Sequence, residues 1–265
     1  MADDPLLAPP TADRLAARLE TRWLGRAYEW HAVCASTSDL VISRARAGAP
    51  AGLVVAADAQ TAGRGRMGRR WHSPPGESLY VSLLLRPSRA ASEVPPITLL
   101  VGGAIAEALA ALGVTPRLKW PNDVELVEAD GARRKLAGIL TEMSTAGERV
   151  EQVVVGVGIN VNGLEFPEEI AARATSLSLL GVEGFERSAL AATLIHVIDN
   201  AVGRYELSRL ATFKDDLDRF DALRGLPVEV GGVRGVASGI DEEGRLLVRG
   251  AGGIVPVASG EVSIG

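Results

Sequence analysis

The stretch that joins two apolar runs of this 265-residue chain reads Gln60-Thr61-Ala62-Gly63-Arg64-Gly65-Arg66-Met67-Gly68-Arg69-Arg70-Trp71. The flanking runs, 53–57 and 79–85, have the length and composition of buried strands. Glycines let a backbone approach a ligand closely, and the interleaved arginines can hold a phosphate or a carboxylate through paired hydrogen bonds. The stretch therefore predicts an anion-binding loop between two strands.

Two other interpretations of this loop stay open on spacing alone. Gly-Arg runs also occur in disordered RNA-binding tails, and a surface loop can carry arginines that are merely solvated. The residue order is not that of a Walker loop, GxxxxGK[ST]. The loop is single, short and flanked by predicted strands, which argues against a disordered tail, and the neighbouring motifs favour ligand binding over a solvated loop.

Lysine is rare in this chain: of 28 lysines and arginines, three are lysine and 25 are arginine. Arginine is a planar, permanently charged fork, whereas lysine is a compact point charge whose pKa shifts readily. Lys119 and Lys135 both lie in dense polar clusters. We therefore expect their ammonium groups to have a function.

Lys119 begins the turn Lys119-Trp120-Pro121-Asn122-Asp123 at the end of a predicted strand, 117–120. Ordinary turn chemistry explains residues 121–123 but does not explain a lysine in a chain that avoids lysine. Lysine binds phosphate as a point charge, and a nearby aspartate can help to hold Mg²⁺. The turn is thus a candidate nucleotide site.

Lys135 and Asn160 each lie next to an apolar run, Lys135 before it and Asn160 at its end. Lys135 precedes the run 136–140, where a lysine can either extend its stem to solvent or reach a ligand carboxylate; we favour the second. Asn160 ends Gly156-Val157-Gly158-Ile159-Asn160, and it is a weaker candidate because asparagine is common at strand ends.

Composition narrows the function classes. The net charge of −5 and the pI near 5.4 argue against a general nucleic-acid binder, while the concentrated arginines suit a small anion. The single cysteine, Cys34, excludes an internal disulfide and a cysteine-rich metal site. We find no signal peptide and no run of about 20 apolar residues, so we expect a cytoplasmic protein.

The order of predicted elements indicates two domains. Strands and helices mix before residue 220 without a regular βαβ rhythm, which favours an α/β (α+β) domain with a mixed, largely antiparallel sheet. Helices are predicted at 13–24, 39–47, 97–112 and 189–204, with a second helix extending the last to about 220. Residues 1–12 are expected to be disordered. Short strands and tight turns after 220 predict a small β-barrel.

Several motifs together resemble the biotin protein ligases in order and spacing. They are Ser36-Thr37, 60–71, 118–124, 135–140 and 156–161. The resemblance implies a catalytic domain related to class II aminoacyl-tRNA synthetases at 1–220 and an SH3-like barrel at 221–265. Ser38 departs from the asparagine usual in the family. Too few residues precede Ser36 for the DNA-binding winged helix of many relatives, so a short form without repressor function is implied.

The resemblance also implies roles for individual residues. The implied catalytic residues are Lys135, Arg66 and Lys119. Those implied to bind biotin are Ser36, Thr37, Ser38, Gln60, Gly63, Arg64, Gly65, Arg66, Trp71 and Lys135. Those implied to bind the nucleotide are Arg69, Trp71, Lys119, Asn122 and Asn160. Asp123 is the implied metal residue.

The implied reaction is ATP-dependent activation of biotin as biotinyl-5′-AMP, followed by transfer to a lysine of a biotin carboxyl carrier protein domain. ATP and Mg²⁺ are the implied co-substrate and cofactor, with no tightly bound prosthetic group. Neither DNA nor a membrane is an expected partner, and a homodimer stays open. Two rivals remain: a lipoate ligase or octanoyl transferase, and a non-catalytic binding module. The transferases use a catalytic cysteine, and we interpret Cys34 as a small buried hydrophobe instead.

Overall fold

The chain is described here by a computed structural model that covers residues 8–128, 131–182, 186–207 and 210–265. In chain order the helices and strands are α1 (Ala12–Ala16), β1 (Tyr28–Cys34), α2 (Thr37–Arg46), β2 (Val54–Gln60), β3 (Ser78–Leu85), α3 (Pro96–Ala111), β4 (Pro116–Lys119), β5 (Asp123–Val127), β6 (Arg133–Ala146), β7 (Arg149–Asn160), α4 (Glu168–Ala171), α5 (Arg187–Leu207), α6 (Lys214–Phe220), β8 (Pro227–Val230), β9 (Val233–Ile240), β10 (Leu246–Gly250), β11 (Gly253–Val257) and β12 (Ser263–Ile264).

The larger sheet has seven strands in the order β1-β2-β3-β7-β6-β5-β4. Only β1 and β2 pair in parallel; the other neighbours are antiparallel. All eight residues of β3 are buried, as expected for a central strand covered on both faces. The predicted mixed, largely antiparallel sheet is confirmed.

Helices cover the two faces of this sheet unequally. The main core cluster contains α3 and α5 packed on one face. On the other face α2 packs through Val41 and Ala45 against Val55, Leu84 and Val154. Because α2 has only ten residues, it covers one part of that face and leaves the rest to the loops.

The ends of α2 and α3 follow from their local sequence. Ser36 caps α2, its Oγ accepting from the Asp39 N–H at 3.5 Å. Pro96 is the first residue of α3, where its missing N–H costs nothing. Gly48 and Gly113 follow the two helices with φ of 89° and 84°, the left-handed conformation that glycine adopts readily.

The smaller sheet is antiparallel, with the order β11-β10-β9-β8-β12. Its buried residues, among them Val228, Ile240 and Leu246, belong to the same core cluster as the larger sheet. The predicted SH3-like C-terminal unit is confirmed in its fold, and its core is continuous with that of the first sheet. The boundary between residues 220 and 221 stays a prediction.

Two sequence predictions are wrong in part, and a third falls partly on residues that the structure does not describe. The helix predicted at 13–24 ends at Ala16; residues 22–24 are not helical, and there the Asp199 carboxylate accepts from the N–H groups of Arg22 and Leu24 at 3.0 and 3.1 Å. The predicted polar turn at 121–135 contains β5. Residues 1–7 of the predicted disordered start lie outside the described residues.

One helical stretch, Ala91–Ala111, is long and apolar enough to cross a membrane by length and composition. Of its apolar window, 72% is buried inside the protein. It contains α3, the helix that packs on the larger sheet. Such burial is typical of the core helix of a globular domain.

Candidate active site

The candidate site lies on the sheet face that α2 covers only in part. Ser82, Gly156 and Leu140 are paired across β3, β7 and β6, and Gly138 pairs with Gly158 in the next row. Residues directly opposite each other in antiparallel strands share a face. Rows rich in glycine and serine therefore form a depression in the sheet beyond the N-terminus of α2.

A hydroxyl and amide cluster forms one end of this depression. The backbone N–H of Thr37 donates to Gln60 Oε1 at 2.9 Å, and Gln60 Nε2 donates to Ser73 Oγ at 3.1 Å. Thr37 Oγ1 and Ser38 Oγ lie 2.8 and 3.0 Å from Ser82 Oγ. Ser82 is fully buried, so these groups offer donors and acceptors that are already oriented.

The indole ring of Trp71 lies over the glycine rows. A Cβ atom at residue 158 would lie 2.5 Å from its indole ring, and one at residue 138 would lie 2.8 Å away. Lys135 Nζ is 5.2 Å from the ring centroid, within the range of a cation–π contact. Among the described residues, the buried Nε1–H of Trp71 has no hydrogen-bond partner. A donor of this kind is expected to meet a ligand or water.

The arginine-glycine loop, residues 60–71, is a small hairpin over the depression. Gly65 N–H donates to Arg69 O at 2.7 Å, and Trp71 N–H donates to Gly63 O at 2.9 Å. Met67 at its tip has φ of 57° and is 74% exposed. The loop is thus an ordered hairpin with its own backbone hydrogen bonds, which argues against a disordered tail.

Two arginines fasten the loop to the body of the protein. Arg64 forms ion pairs with Asp39 at 2.8 Å and Glu142 at 2.7 Å. Arg66 donates to Asn122 Oδ1 at 3.1 Å. Burial lowers the pKa of the Arg66 guanidinium, an effect opposed by the charge of Asp123. A partly desolvated cation interacts more strongly with an anion than a fully solvated one does.

Lys135 lies at the other end of the depression, and further charged residues surround it. Lys135 Nζ lies 2.6 Å from Asp123 Oδ1, and Lys119 Nζ lies 3.3 Å from Glu125 Oε1. Glu125 is 7% exposed, and the nearby Arg133 is 3.8 Å from its other oxygen. These carboxylates keep the cations in place without using all of their N–H donors.

Two cavities meet at the loop. The smaller, of about 50 Å³, is lined by both ends of the depression, from Ser36, Thr37 and Gln60 to Lys135. The larger, of about 730 Å³, lies on the other side of the loop and reaches Gly244 and Ala258. Arg64, Gly65 and Arg66 line both cavities, as do Asn122, Ile139 and Leu140, so this part of the loop forms one side of the wall between them.

The structure brings most of the predicted site residues together. Those that line the smaller cavity are Ser36, Thr37, Ser38, Gln60, Arg64, Gly65, Arg66, Trp71, Asn122 and Lys135. Gly63 and Arg69 line the larger cavity. The predicted metal residue Asp123 lies beside the smaller cavity through its ion pair with Lys135.

Besides Asp123, two predicted residues line neither cavity. Lys119 is held by its ion pair with Glu125. Asn160 is buried, and its Nδ2 donates to Thr175 O at 2.9 Å. The side chain of Asn160 therefore holds the segment after β7, and its role at the nucleotide stays a prediction.

Sequence reasoning missed several residues of the site. Ser82 lies within the apolar run 79–85. The signal that could have identified it is a polar residue in a strand that is otherwise apolar and buried. Glu125 was overlooked between Asp123 and Lys135, although a buried carboxylate needs a cation. Glu261, which pairs with Arg69, is far away in sequence, and no local pattern indicates it.

Comparison with known proteins identifies the family. The profile of the Biotin/lipoate A/B protein ligase family matches residues 30–160, and that of the Biotin protein ligase C terminal domain matches residues 227–265. The biotin--[acetyl-CoA-carboxylase] ligase of Mycobacterium tuberculosis is 33% identical over 99% of this chain and 98% of its own length. The chain belongs to the biotin protein ligase family.

Two further relatives support this biotin protein ligase assignment. The bifunctional ligase/repressor BirA of Bacillus subtilis is 35% identical over 93% of this chain and 77% of its own length. The biotin protein ligase of Aquifex aeolicus, solved in complex with biotin and ATP, superposes with a TM-score of 0.78 at 30% identity, over 91% of this chain and 99% of that one. Family membership makes this chain an enzyme, a ligase, and excludes the non-catalytic binding module.

Proposed function

We propose that this biotin protein ligase activates biotin as biotinyl-5′-AMP and transfers the biotinyl group to a lysine of a biotin carboxyl carrier protein domain. The observation that carries the proposal is the smaller cavity. One end of it has hydroxyl and amide groups suited to a urea, and the other end has Lys135 and Arg66, suited to a carboxylate. Biotin is a molecule with a ureido group at one end and a carboxylate at the other.

Biotin is proposed to lie along this cavity. Its ureido group would meet Thr37, Gln60 and the hydroxyls of Ser36 and Ser38, and its apolar ring would face Trp71. At about 50 Å³ the cavity is smaller than the few hundred Å³ typical of a ligand pocket. The loop wall at 64–66 must therefore move outward for biotin to enter, toward the larger cavity.

In the first step the biotin carboxylate oxygen attacks the α-phosphorus of ATP. The bond to the bridging oxygen breaks, and pyrophosphate leaves with the electron pair. Two anions have to approach each other, so catalysis depends on positioning and on fixed positive charge. Lys135 and Arg66 are proposed to bind the carboxylate and the α-phosphate, with Lys119 supplying further positive charge.

In the second step an acceptor lysine, as the neutral amine, attacks the acyl carbon of biotinyl-5′-AMP. An amide forms, AMP leaves with the electron pair of the acyl–oxygen bond, and the amine releases a proton. The larger cavity opens beside the loop and reaches the same wall residues. We propose that the acceptor lysine approaches from this side.

The nucleotide is proposed to contact Arg69, Trp71, Lys119 and Asn122, with Asn160 acting through the segment after β7. The acidic residues near the nucleotide position are suited to a Mg²⁺ ion that takes few of its ligands from the protein. Among the described residues no group of three acidic, histidine or cysteine side chains could hold a metal, but Mg²⁺ commonly takes one or two carboxylates together with phosphates and water. Asp123 would hold it, and the ion would supply charge stabilisation at the phosphates.

The remaining partner assignments are also proposals. We propose a cytoplasmic enzyme that binds neither DNA nor a membrane, with a homodimer as one oligomeric state to be tested. Cys34 lies on β1 and lines neither cavity, which supports a reaction without a cysteine intermediate.

The proposal is tested by pyrophosphate release from MgATP with biotin, lipoate or octanoate offered separately, without acceptor protein. We expect release with biotin alone, and loss of it in Lys135→Ala. Release with lipoate instead would contradict the proposed substrate. Adding a carrier domain and its lysine-to-arginine variant then tests the transfer step, since only the former should gain biotin.

A further inference from the structure

The turn between β9 and β10 of the C-terminal sheet contacts the candidate active site. Trp120 is 1% exposed, and its indole Nε1–H donates to Gly244 O at 2.9 Å. The two residues are 124 positions apart in sequence. A buried indole N–H needs an acceptor, and here a backbone carbonyl of the second sheet supplies it.

The fit of this turn is tight. Gly244 has φ of 78°, and a Cβ atom there would lie 3.3 Å from Pro96 Cα and 3.4 Å from Leu99 Cδ1. Gly244 also lines the larger cavity together with Trp120. The turn is thus wedged between the first turn of α3 and the indole ring, and it cannot shift without displacing one of them.

From Trp120 the contact continues to the loop. Asn122, two residues after Trp120, forms two hydrogen bonds with Ile139. Its side-chain Nδ2 donates to Ile139 O at 3.1 Å, and its backbone carbonyl accepts from the Ile139 N–H at 2.9 Å. Its Oδ1 accepts from Arg66 at 3.1 Å. The position of the Arg66 guanidinium therefore depends on where the segment 120–122 lies on the sheet.

We infer that Trp120 is a positioning residue, through which the β9–β10 turn orients Asn122 and so holds Arg66 over the bound adenylate. The inference rests on the proposed function for the identity of the ligand. It assigns a role in adenylate retention to a residue that forms no wall of the smaller cavity and to a turn of the other sheet. The relay runs from Gly244 to Trp120, Asn122 and Arg66.

The first test needs no ligand. Gly244→Ala should displace the turn, whereas Gly232→Ala is its matched control: that glycine also has positive φ, 80°, but a Cβ there meets nothing within 4 Å. Hydrogen–deuterium exchange of the loop amides at Gly65 and Trp71 is measured in both variants and in the unchanged protein. We expect roughly fivefold faster exchange in Gly244→Ala alone. Equal exchange in the two variants would overturn the relay.

The second test uses the reaction. Trp120→Phe keeps an aromatic ring but removes the N–H. Tyr28→Phe is the control, since it removes a hydrogen bond to Pro10 O, and neither of these two residues lines either cavity. The measured quantity is free biotinyl-5′-AMP released per pyrophosphate formed. We expect this ratio to rise roughly fivefold in Trp120→Phe and to stay unchanged in Tyr28→Phe.

A merely structural role of Trp120 would lower thermal stability and total turnover but would leave this ratio unchanged, and that result would overturn the inference. Failure of the proposed function is a separate result, namely no pyrophosphate release by the unchanged protein with biotin. In that case the exchange comparison between the two glycine variants still decides whether the relay exists.

Discussion

At the scale of single residues, Lys135 shows how the site keeps a cation ready. Its ammonium lies 2.6 Å from Asp123 Oδ1 and 5.2 Å from the centre of the Trp71 ring. An ammonium has three N–H donors, so one carboxylate and one aromatic face do not use them all. Lys135 can therefore bind an incoming carboxylate or phosphate while it stays oriented.

Lys135→Ala should abolish most of the adenylation activity with the fold intact, because the variant removes the cation that offsets charge on the reacting groups. We expect pyrophosphate release with biotin to fall by about 100-fold or more. The thermal unfolding temperature should change little, since the side chain is only half-buried. An unchanged rate of release would contradict the assigned role.

Arg66→Gly should release biotinyl-5′-AMP from the site, because the loop loses its hydrogen bond to Asn122 and its contact with the adenylate. We expect release about 10-fold to 100-fold faster, the effect of one charge-assisted hydrogen bond. Indiscriminate labelling of a non-acceptor protein such as albumin measures the leak. Labelling confined to the carrier domain, at the normal rate, would show that Arg66 does not retain the intermediate.

At the scale of elements, the paired strands β6 and β7 make room for an aromatic ring. Gly138 and Gly158 face each other across the two strands, and Trp71 occupies the space that two side chains would fill. A glycine in a strand interior weakens the strand and often marks the close approach of a ligand or another group. Here that group is the indole at the end of the arginine-glycine loop.

Gly158→Ala should push Trp71 off the strand, because the new Cβ would lie 2.5 Å from the ring. Such overpacking costs about 1–3 kcal/mol, and we expect the KM for biotin to rise by roughly tenfold. Gly252→Ala, where a Cβ meets nothing within 4 Å, is the control. Adding Trp71→Phe should restore part of the stability lost in Gly158→Ala; strictly additive effects would show that the two residues do not compete for space.

At the scale of the whole molecule, the segment between α6 and β8 joins the two sheets. The N–H of Ala222 donates to Leu118 O at 3.0 Å, next to the candidate site. The preceding residue is Asp221, whose side chain is 1% exposed. Its Oδ1 accepts from the N–H groups of Leu223 and Arg224 at 2.8 and 3.2 Å. Burial raises the pKa of the Asp221 carboxyl, an effect that these two backbone donors oppose.

A raised pKa in the folded protein means that the folded state binds a proton more tightly than the unfolded state. The free energy of unfolding contributed by Asp221 therefore falls as pH rises from its ordinary pKa through the raised one. Asp221→Asn cannot titrate and keeps an oxygen for the two N–H groups. Its unfolding free energy, relative to the unchanged protein, should therefore increase as pH rises from about 4 to 7.

Urea unfolding at a series of pH values measures this difference. Asp215→Asn is the control: it removes an exposed carboxylate from α6, the helix that ends just before Asp221, and because it keeps the buried carboxylate it should not reproduce the increase. A relative stability of Asp221→Asn that falls with pH would mean that the folded protein stabilises the charged carboxylate at this position.

The chain's sequence alone indicated the family, the two-part organisation and most of the elements, while it missed β1 and β5. These features are local sequence patterns: the arginine-glycine loop, the two clustered lysines, and the change to short strands and tight turns after residue 220. A local pattern is a good guide to the secondary structure of the residues within it. The same is true of the strand at 79–85 and the helix at 97–112, which the structure places at Ser78–Leu85 and Pro96–Ala111.

Only the tertiary structure decided which of these parts meet. Ser82 lies 44 residues from Ser38 and Gly244 lies 124 residues from Trp120, yet each pair forms a hydrogen bond. Such contacts depend on strand register, and a slip of one residue would turn every side chain of a strand to the opposite face. Register is set by the packing of the whole core, and this is why the sequence indicates the groups of the site while the fold determines their distances.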